Sequence, residues 1–206
     1  MLDSQGLELL SDLLKDKSEK LELEQGSAKD AIIVLILGTL GAGKSSFIDK
    51  ATENTGRGVG HDLRSGTKEV TFTKGVATDG SNVVLVDTPG LDTTQSPVAI
   101  LGKVSTLLNE EYGTGTKPSV VLYFQPISPN REVWRPHKVI KELQVRWGWG
   151  EDAMSKVFFV TTMWDEMEDS EDGEERLKEL EDRGAIPTRV PDVEASEHPS
   201  FCHRIT

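Results

Sequence analysis

The residues best suited to chemistry in this 206-residue chain form a glycine-rich turn that ends in a lysine and a serine. The segment from Gly38 to Ser45 reads GTLGAGKS and fits the pattern GxxxxGK[ST], which binds phosphates between a buried strand and a helix. Its glycines let successive backbone N–H groups point inward at the positive end of that helix. Lys44 supplies a charge for the β and γ phosphates, Ser45 a hydroxyl for Mg²⁺, and Ser46 a further phosphate contact. The predicted polyphosphate-binding residues are Gly38, Thr39, Leu40, Gly41, Ala42, Gly43, Lys44, Ser45 and Ser46.

A second candidate phosphate element follows an apolar strand. Residues 83–86 are all apolar and lead into Asp87-Thr88-Pro89-Gly90. Asp87 would stand at the carboxyl edge of a parallel sheet and hold Mg²⁺ through the water shell of the ion. Gly90 can bring its backbone N–H close to a γ-phosphate without a side-chain clash. Alone, this segment is equally typical of a turn that ends a strand; its place downstream of the glycine-rich turn favours the phosphate site.

The surrounding sequence alternates strands and helices. Residues 31–37 form an uninterrupted apolar run, typical of a strand buried on both faces. The runs 69–77 and 82–87 flank a turn and predict an antiparallel hairpin. We therefore expect an α/β fold of three layers (α/β/α) around a mainly parallel sheet with one antiparallel edge strand. The expected order is strand 31–37, helix 44–54, strand 69–77, strand 82–87, helix 98–111, strand 119–125, helix 131–147, strand 156–162 and helix 173–183.

Three regions are expected along the chain. Residues 1–29 form an amphipathic helix and a linker, residues 30–183 the main domain, and residues 184–206 an irregular tail rich in proline and polar residues. The tail shows no convincing last strand or helix. The first region contains leucines at approximately helical spacing, which would pack on the domain or on a partner. These leucines are Leu7, Leu10, Leu14 and Leu21.

Composition excludes several classes of protein. The formal net charge of -12 argues against sequence-independent binding to nucleic acid or to anionic lipid, because both are polyanions that need a basic face. A single cysteine, Cys202, cannot form an internal disulfide. No apolar run is long enough for a transmembrane segment, and the N-terminus lacks the layout of a signal peptide. A cytoplasmic location is therefore expected.

These motifs together resemble the GTPases of the septin, immunity-associated and chloroplast-import-receptor group, particularly related G-domain proteins of fungi. The resemblance covers about Ala31 to Asp165. It implies that GTP or GDP binds with Mg²⁺. In such GTPases a threonine before the second strand coordinates the metal; Thr67 stands at a suitable place, and Ser65 is the competing choice. The implied metal-binding residues are Ser45, Thr67 and Asp87, and the implied catalytic residues are Lys44, Thr67 and Gly90.

The resemblance extends to a base-reading element. Thr162-Met163-Trp164-Asp165 resembles the box written [NT]KxD, in which the aspartate accepts two hydrogen bonds from guanine. Thr162 and Asp165 occupy the matching ends, while Met163 replaces a lysine and can supply packing over the base but no ammonium. The alternative interpretation of Asp165 is a helix cap after a core strand.

The expected function is a guanine-nucleotide switch that hydrolyses GTP slowly. Leu91 follows Gly90 where Ras-like enzymes carry the glutamine that orients the attacking water. No loop for the guanine O6 atom is recognisable either. Two alternatives remain: a scaffold that binds GTP without useful turnover and forms a homodimer through the nucleotide face, and a P-loop ATPase or kinase.

Overall fold

A six-stranded sheet forms the centre of the computed structural model, which describes residues 31–53, 68–77, 80–91, 96–128, 137–167, 170–182 and 202–204. The strands are β1 (Ile32–Gly38), β2 (Thr71–Val76), β3 (Asn82–Asp87), β4 (Val120–Pro126), β5 (Val157–Thr162) and β6 (Cys202–Arg204). The helices are α1 (Lys44–Glu53), α2 (Pro97–Tyr112), α3 (His137–Trp147) and α4 (Ser170–Asp182), and two short 3₁₀ helices span Gly150–Lys156 and Trp164–Glu166.

The strand order is β2-β3-β1-β4-β5-β6, and every neighbouring pair is parallel except β2 with β3. Antiparallel β2 lies at the edge of the sheet. The core residues divide into two clusters, one that includes residues of α2, α3 and α4 and one whose helix residues belong to α1. The predicted α/β/α architecture with one antiparallel edge strand is thereby confirmed.

The position of β1 at the centre of the sheet explains why its sequence is apolar throughout. Ile33, Leu35 and Leu37 belong to the first cluster, whereas the alternate residues Ile32, Val34 and Ile36 belong to the second. Successive side chains of a strand point to opposite faces, so a strand covered on both faces needs apolar residues at every position. All seven residues of β1 are buried.

The tail contains a short strand where the sequence shows no convincing one. Cys202–Arg204 pairs in parallel with β5, with Cys202 opposite Phe159 and Arg204 opposite Thr161. The edge of a sheet presents unpaired backbone groups that any extended segment can pair with, whatever its side-chain pattern. The structure corrects the expectation at these three residues.

The sheet brings three predicted segments to one edge. Because β1, β3 and β5 are parallel, the turn after Gly38, the aspartate at the end of β3 and the box after Thr162 all leave the same side. The predicted N-terminal helix and linker (residues 1–29) lie outside the described residues, and the predicted boundaries of the domain and tail remain predictions. No described helix has the length and apolar character needed to cross a bilayer.

Candidate functional site

The turn after β1, residues 38–45 (hereafter the P-loop), is tightly curled. Gly38, Gly41 and Gly43 have φ angles of 146°, 73° and 82°, which are favourable only for glycine. The backbone N–H of Ala42 donates to the Thr39 carbonyl at 3.3 Å. A Cβ atom on Gly38 would lie 2.2 Å from the Phe124 carbonyl oxygen, so β4 touches the start of the turn. The P-loop then leads directly into α1, with backbone N–H groups at the positive end of that helix.

The Lys44 side chain folds back into the P-loop. Its ammonium donates to the carbonyls of Gly38 at 3.2 Å and Thr39 at 2.9 Å. Only 6% of the residue is exposed. Burial lowers the Lys44 pKa from 10.5 to about 8, and the nearby Asp87 carboxylate partly opposes that shift. A buried ammonium held by two carbonyls therefore lies inside the curled turn.

Two predicted metal-binding residues meet beside the P-loop. Ser45 Oγ, at the start of α1, donates to Asp87 Oδ2 at 2.7 Å, although 42 residues separate them in sequence. The neighbouring Thr88 hydroxyl donates to the Ile36 carbonyl at 2.7 Å, which fastens the segment after β3 to β1. Among the described residues there is no cluster of three or more His, Cys, Asp or Glu side chains that could hold a metal alone. A metal here would therefore need oxygen atoms in addition to those of Ser45 and Asp87.

The loop that contains Gly90 packs directly on the P-loop. A Cβ atom at Gly90 would lie 2.5 Å from Leu40 Cα and 2.7 Å from Leu40 N. The backbone N–H of Leu91 donates to the Gly38 carbonyl at 2.9 Å, and Thr39 and Leu91 form an isolated parallel bridge. The Leu91 side chain belongs to the buried core, whereas Leu40 is 56% exposed. The sequence does not indicate this bridge, because a pairing of two single residues has no periodic pattern.

The predicted base-reading box is attached to the P-loop. Thr162 Oγ1 donates to the Ala42 carbonyl at 3.1 Å, across 120 residues of sequence. Met163 adopts the left-handed conformation with φ 63° and ψ 39°, the one described residue other than glycine with a positive φ. Met163 thereby separates β5 from the 3₁₀ turn that begins at Trp164. Asp165 lies exposed in the following 3₁₀ turn.

Trp164 anchors this turn. Its ring is buried, and its indole N–H donates to Thr161 Oγ1 at 3.1 Å. A Cβ atom on Gly173 of α4 would lie 2.7 Å from the ring, so the glycine makes room for the tryptophan. Two features of the sequence indicate this packing: a Trp one residue before the candidate aspartate, and a Gly in the next helix.

The structure therefore brings together most of the predicted site. The P-loop, Ser45, Asp87, Gly90 and Thr162 converge at the carboxyl edge of the sheet. Thr67 and the competing Ser65 lie outside the described residues. Their roles remain predictions.

The lowered pKa of Lys44 predicts that polyphosphate binding takes up protons. An anionic ligand favours the charged lysine, so its pKa should rise on binding. Near pH 8 we expect Lys44 to take up about half a proton, and near about pH 6 almost none, because the lysine is already charged there. Titration calorimetry in buffers of different ionisation enthalpy measures this uptake. A binding heat at pH 8 that does not depend on the buffer would contradict the prediction.

The lowered pKa of Lys44 also makes the stability of the fold depend on pH. The Lys44 pKa is about 8 in the folded chain and has the ordinary value of 10.5 in the unfolded chain. Between these two pH values the unfolded chain therefore binds more protons than the folded chain. This group's contribution to the free energy of unfolding therefore increases from about pH 8 to about pH 10.5. Ligand affinity should decrease over the same range.

Comparisons with known proteins agree with this geometry. The model of the 50S ribosome-binding GTPase family matches residues 33–144. A structure of a dimerization-deficient variant of Toc33 from Arabidopsis thaliana superposes with a TM-score of 0.54 at 18% identity, covering 88% of this chain and 70% of that one. Toc33 from Arabidopsis thaliana in complex with GDP and Mg²⁺ gives a TM-score of 0.53 at 18% identity, covering 98% and 79%. At that identity the likeness concerns the fold. No curated protein matches the sequence significantly.

Proposed function

The chain belongs to the 50S ribosome-binding GTPase family, and on that basis we propose that it binds GTP and GDP with Mg²⁺ and hydrolyses GTP slowly as a switch. The observation that carries the proposal is the Lys44 ammonium held inside the curled P-loop. A lysine in that position is within reach of phosphates bound by the surrounding backbone N–H groups. Beside it, Ser45 and Asp87 provide oxygen atoms for a metal.

The donors at this site fit Mg²⁺. The ion prefers oxygen ligands and usually binds through one or two protein groups together with phosphate oxygens and water. Ser45 Oγ and Asp87 Oδ2, which lie 2.7 Å apart, supply such a pair. The described residues contain no larger acidic cluster that would bind a metal without a nucleotide. Thr67 is the proposed third contributor. When bound, the metal neutralises charge on the phosphates.

The base-reading role is proposed for Asp165. Its turn is fixed from three sides: Thr162 contacts the P-loop, Met163 reverses the chain, and Trp164 is buried against α4. The exposed carboxylate is thereby left available to accept two hydrogen bonds from the N1–H and amino groups of guanine. Adenine cannot donate that pair. Met163 would pack on the base without providing a charge.

Catalysis at this site would consist of positioning and charge neutralisation. We assign to Lys44, the Gly90 N–H and Thr67 the contacts to the γ-phosphate and its metal. The Leu91 side chain is buried and apolar, so it cannot orient an attacking water. Turnover by the isolated chain is therefore expected to be slow.

The base-reading role is tested by Asp165→Asn. The asparagine amide is matched to xanthine, which presents a carbonyl where guanine has its amino group, so GDP affinity should fall by about a hundredfold and xanthosine diphosphate should bind better than GDP. Calorimetric titration with both nucleotides measures the change. The matched control is Glu166→Gln, which neutralises the next exposed carboxylate of the same turn and should alter neither affinity. Unchanged GDP binding by Asp165→Asn would remove Asp165 from the site.

A second candidate function is a nucleotide-dependent scaffold that assembles through its nucleotide face. The exposed apolar side chain of Leu40 favours this reading, because it lies on the P-loop beside Gly90. Phosphate release measured at increasing protein concentration separates the candidates. A dimer-activated GTPase should speed up per molecule, a pure scaffold should release no phosphate at any concentration, and a GTPase active as a monomer should keep a constant rate.

A further inference from the structure

Gly173 occupies a position of α4 at which glycine is locally unfavourable. It is the fourth residue of this 13-residue helix, where glycine loses more backbone freedom on folding than alanine does. Its φ angle is not positive, so the backbone conformation does not require glycine either. The reason for a glycine here is the side chain packed against it.

The side chain packed against Gly173 is the indole of Trp164. A Cβ atom on Gly173 would lie 2.7 Å from Cζ3 and 2.9 Å from Cε3, two atoms of the six-membered ring. At the other edge of the indole, the N–H of the five-membered ring donates to Thr161 Oγ1 of β5 at 3.1 Å. Trp164 is 5% exposed. The indole is therefore held between α4 and β5, with no space for a further carbon atom on the α4 side.

Helix α4 is the less movable of these two partners. Leu177 and Leu180 follow Gly173 by four and seven residues, so the three share one face of the helix. Both leucines are buried in the same apolar cluster as Trp164. A methyl group on Gly173 would therefore displace the indole rather than the helix. To move from 2.7 Å to an ordinary contact of at least 3.4 Å, the ring must shift by about 0.7 Å.

Asp165 follows Trp164 directly and lies exposed in the same 3₁₀ turn. We propose that Gly173 is a positioning residue for guanine recognition, because its contact with Trp164 sets the position of the Asp165 carboxylate. This inference rests on the base-reading role proposed above for Asp165. Hydrogen bonds from N–H donors need donor–acceptor distances of about 2.7–3.2 Å and weaken steeply when they are bent. A displacement of about 0.7 Å at the neighbouring residue is large enough to disrupt a pair of them.

Gly173→Ala tests this role in the full chain. GDP affinity should fall at least about tenfold, whereas the affinity for ADP, whose base cannot donate the same pair, should not change. Calorimetric titration measures both affinities at a temperature below the unfolding transition of the variant. The matched control is Gly102→Ala in α2, where the new Cβ meets only the end of the Arg146 side chain at 3.9 Å, and both affinities should stay unchanged.

A second substitution shows whether the effect passes through the indole. Trp164→His keeps a ring N–H that can donate to Thr161 but removes the six-membered ring that Gly173 contacts. In this background Gly173→Ala should change GDP affinity by less than about twofold, because the methyl group no longer meets a ring. A tenfold decrease there as well would mean that α4 acts on the nucleotide by another route, and the proposal would fail.

The other outcomes also decide the question. A Gly173→Ala protein with a lower Tm but unchanged GDP affinity would make the glycine purely structural, and equal losses of GDP and ADP affinity would place the effect outside base recognition. If Gly173→Ala or Trp164→His does not fold, Trp164→Phe alone replaces them. It removes the indole N–H and the outer edge of the ring, so the ratio of GDP to ADP affinity should fall at least about tenfold, and an unchanged ratio would overturn the proposal.

Asp165→Asn, titrated in the same series, separates this inference from the function on which it rests. If Asp165→Asn leaves GDP affinity unchanged, the base-reading role fails, and the positioning role fails with it. If Asp165→Asn lowers GDP affinity and Gly173→Ala does not, only the positioning role is overturned.

Discussion

Replacing Lys44 with methionine is expected to lower the affinity for GDP and GTP by at least about a hundredfold while leaving the protein as stable as before without nucleotide. The expected loss follows from the removal of a buried positive charge at the proposed phosphate site. Stability should survive because both carbonyls that accept from Lys44 keep another donor: the Gly38 carbonyl accepts from Leu91 N–H and the Thr39 carbonyl from Ala42 N–H. Burial disfavours the charged form of Lys44 and lowers its pKa, so an apolar side chain of similar length avoids this desolvation cost.

Calorimetric titration and thermal unfolding together measure this separation of binding from stability. The matched control is Lys103→Met, an exposed lysine of α2 that should change neither quantity. A Lys44→Met protein that still binds GDP with unchanged affinity would refute the phosphate role. A large decrease in Tm would refute the claim that the lysine is dispensable for folding.

Replacing Gly38 with alanine is expected to destabilise the fold by at least about 3 kcal/mol. The new Cβ would lie 2.2 Å from the Phe124 carbonyl oxygen and 2.8 Å from Phe124 Cβ, at a φ of 146° that alanine disfavours. Phe124 has no room to yield, because it is fully buried in β4 and packs against Phe47 at 5.3 Å. The substitution therefore forces β1 and β4 apart at the start of the P-loop.

Denaturant unfolding of Gly38→Ala and of Gly75→Ala provides the comparison. Gly75 lies in edge strand β2, and a Cβ atom there meets no atom within 4 Å. Its replacement should change the free energy of unfolding by no more than about 1 kcal/mol, and in the stabilising direction if at all. If the two variants were equally stable, the close approach of β4 to Gly38 would not exist in solution.

The parts of the molecule that sequence predicted well are local or periodic. The P-loop is eight consecutive residues, and its curl depends on glycines within it, so the motif carries most of its own geometry. The sheet follows from apolar runs alternating with helices, and the antiparallel edge from the short turn between β2 and β3. Parallel strands end at the same edge of the sheet, and this rule alone predicts that the segments after β1, β3 and β5 meet there.

The features that sequence missed depend on contacts between distant segments. Thr162 is 120 residues from Ala42, and nothing in its own segment indicates that its hydroxyl reaches the P-loop rather than the base. Leu91 is buried and forms a bridge with Thr39, and neither feature has a periodic signal in the sequence. Strand β6 is three residues long and is specified by the edge of β5 rather than by its own composition.

Competition between nucleotides tests the central claim most directly. With Mg²⁺ present, the purified chain should bind a fluorescent GDP analogue that unlabelled GTP and GDP displace and that ATP displaces only at concentrations higher by at least about two orders of magnitude. Displacement by ATP as readily as by GTP would assign the P-loop to an ATPase or kinase. Absence of binding to any of these nucleotides would contradict the account as a whole.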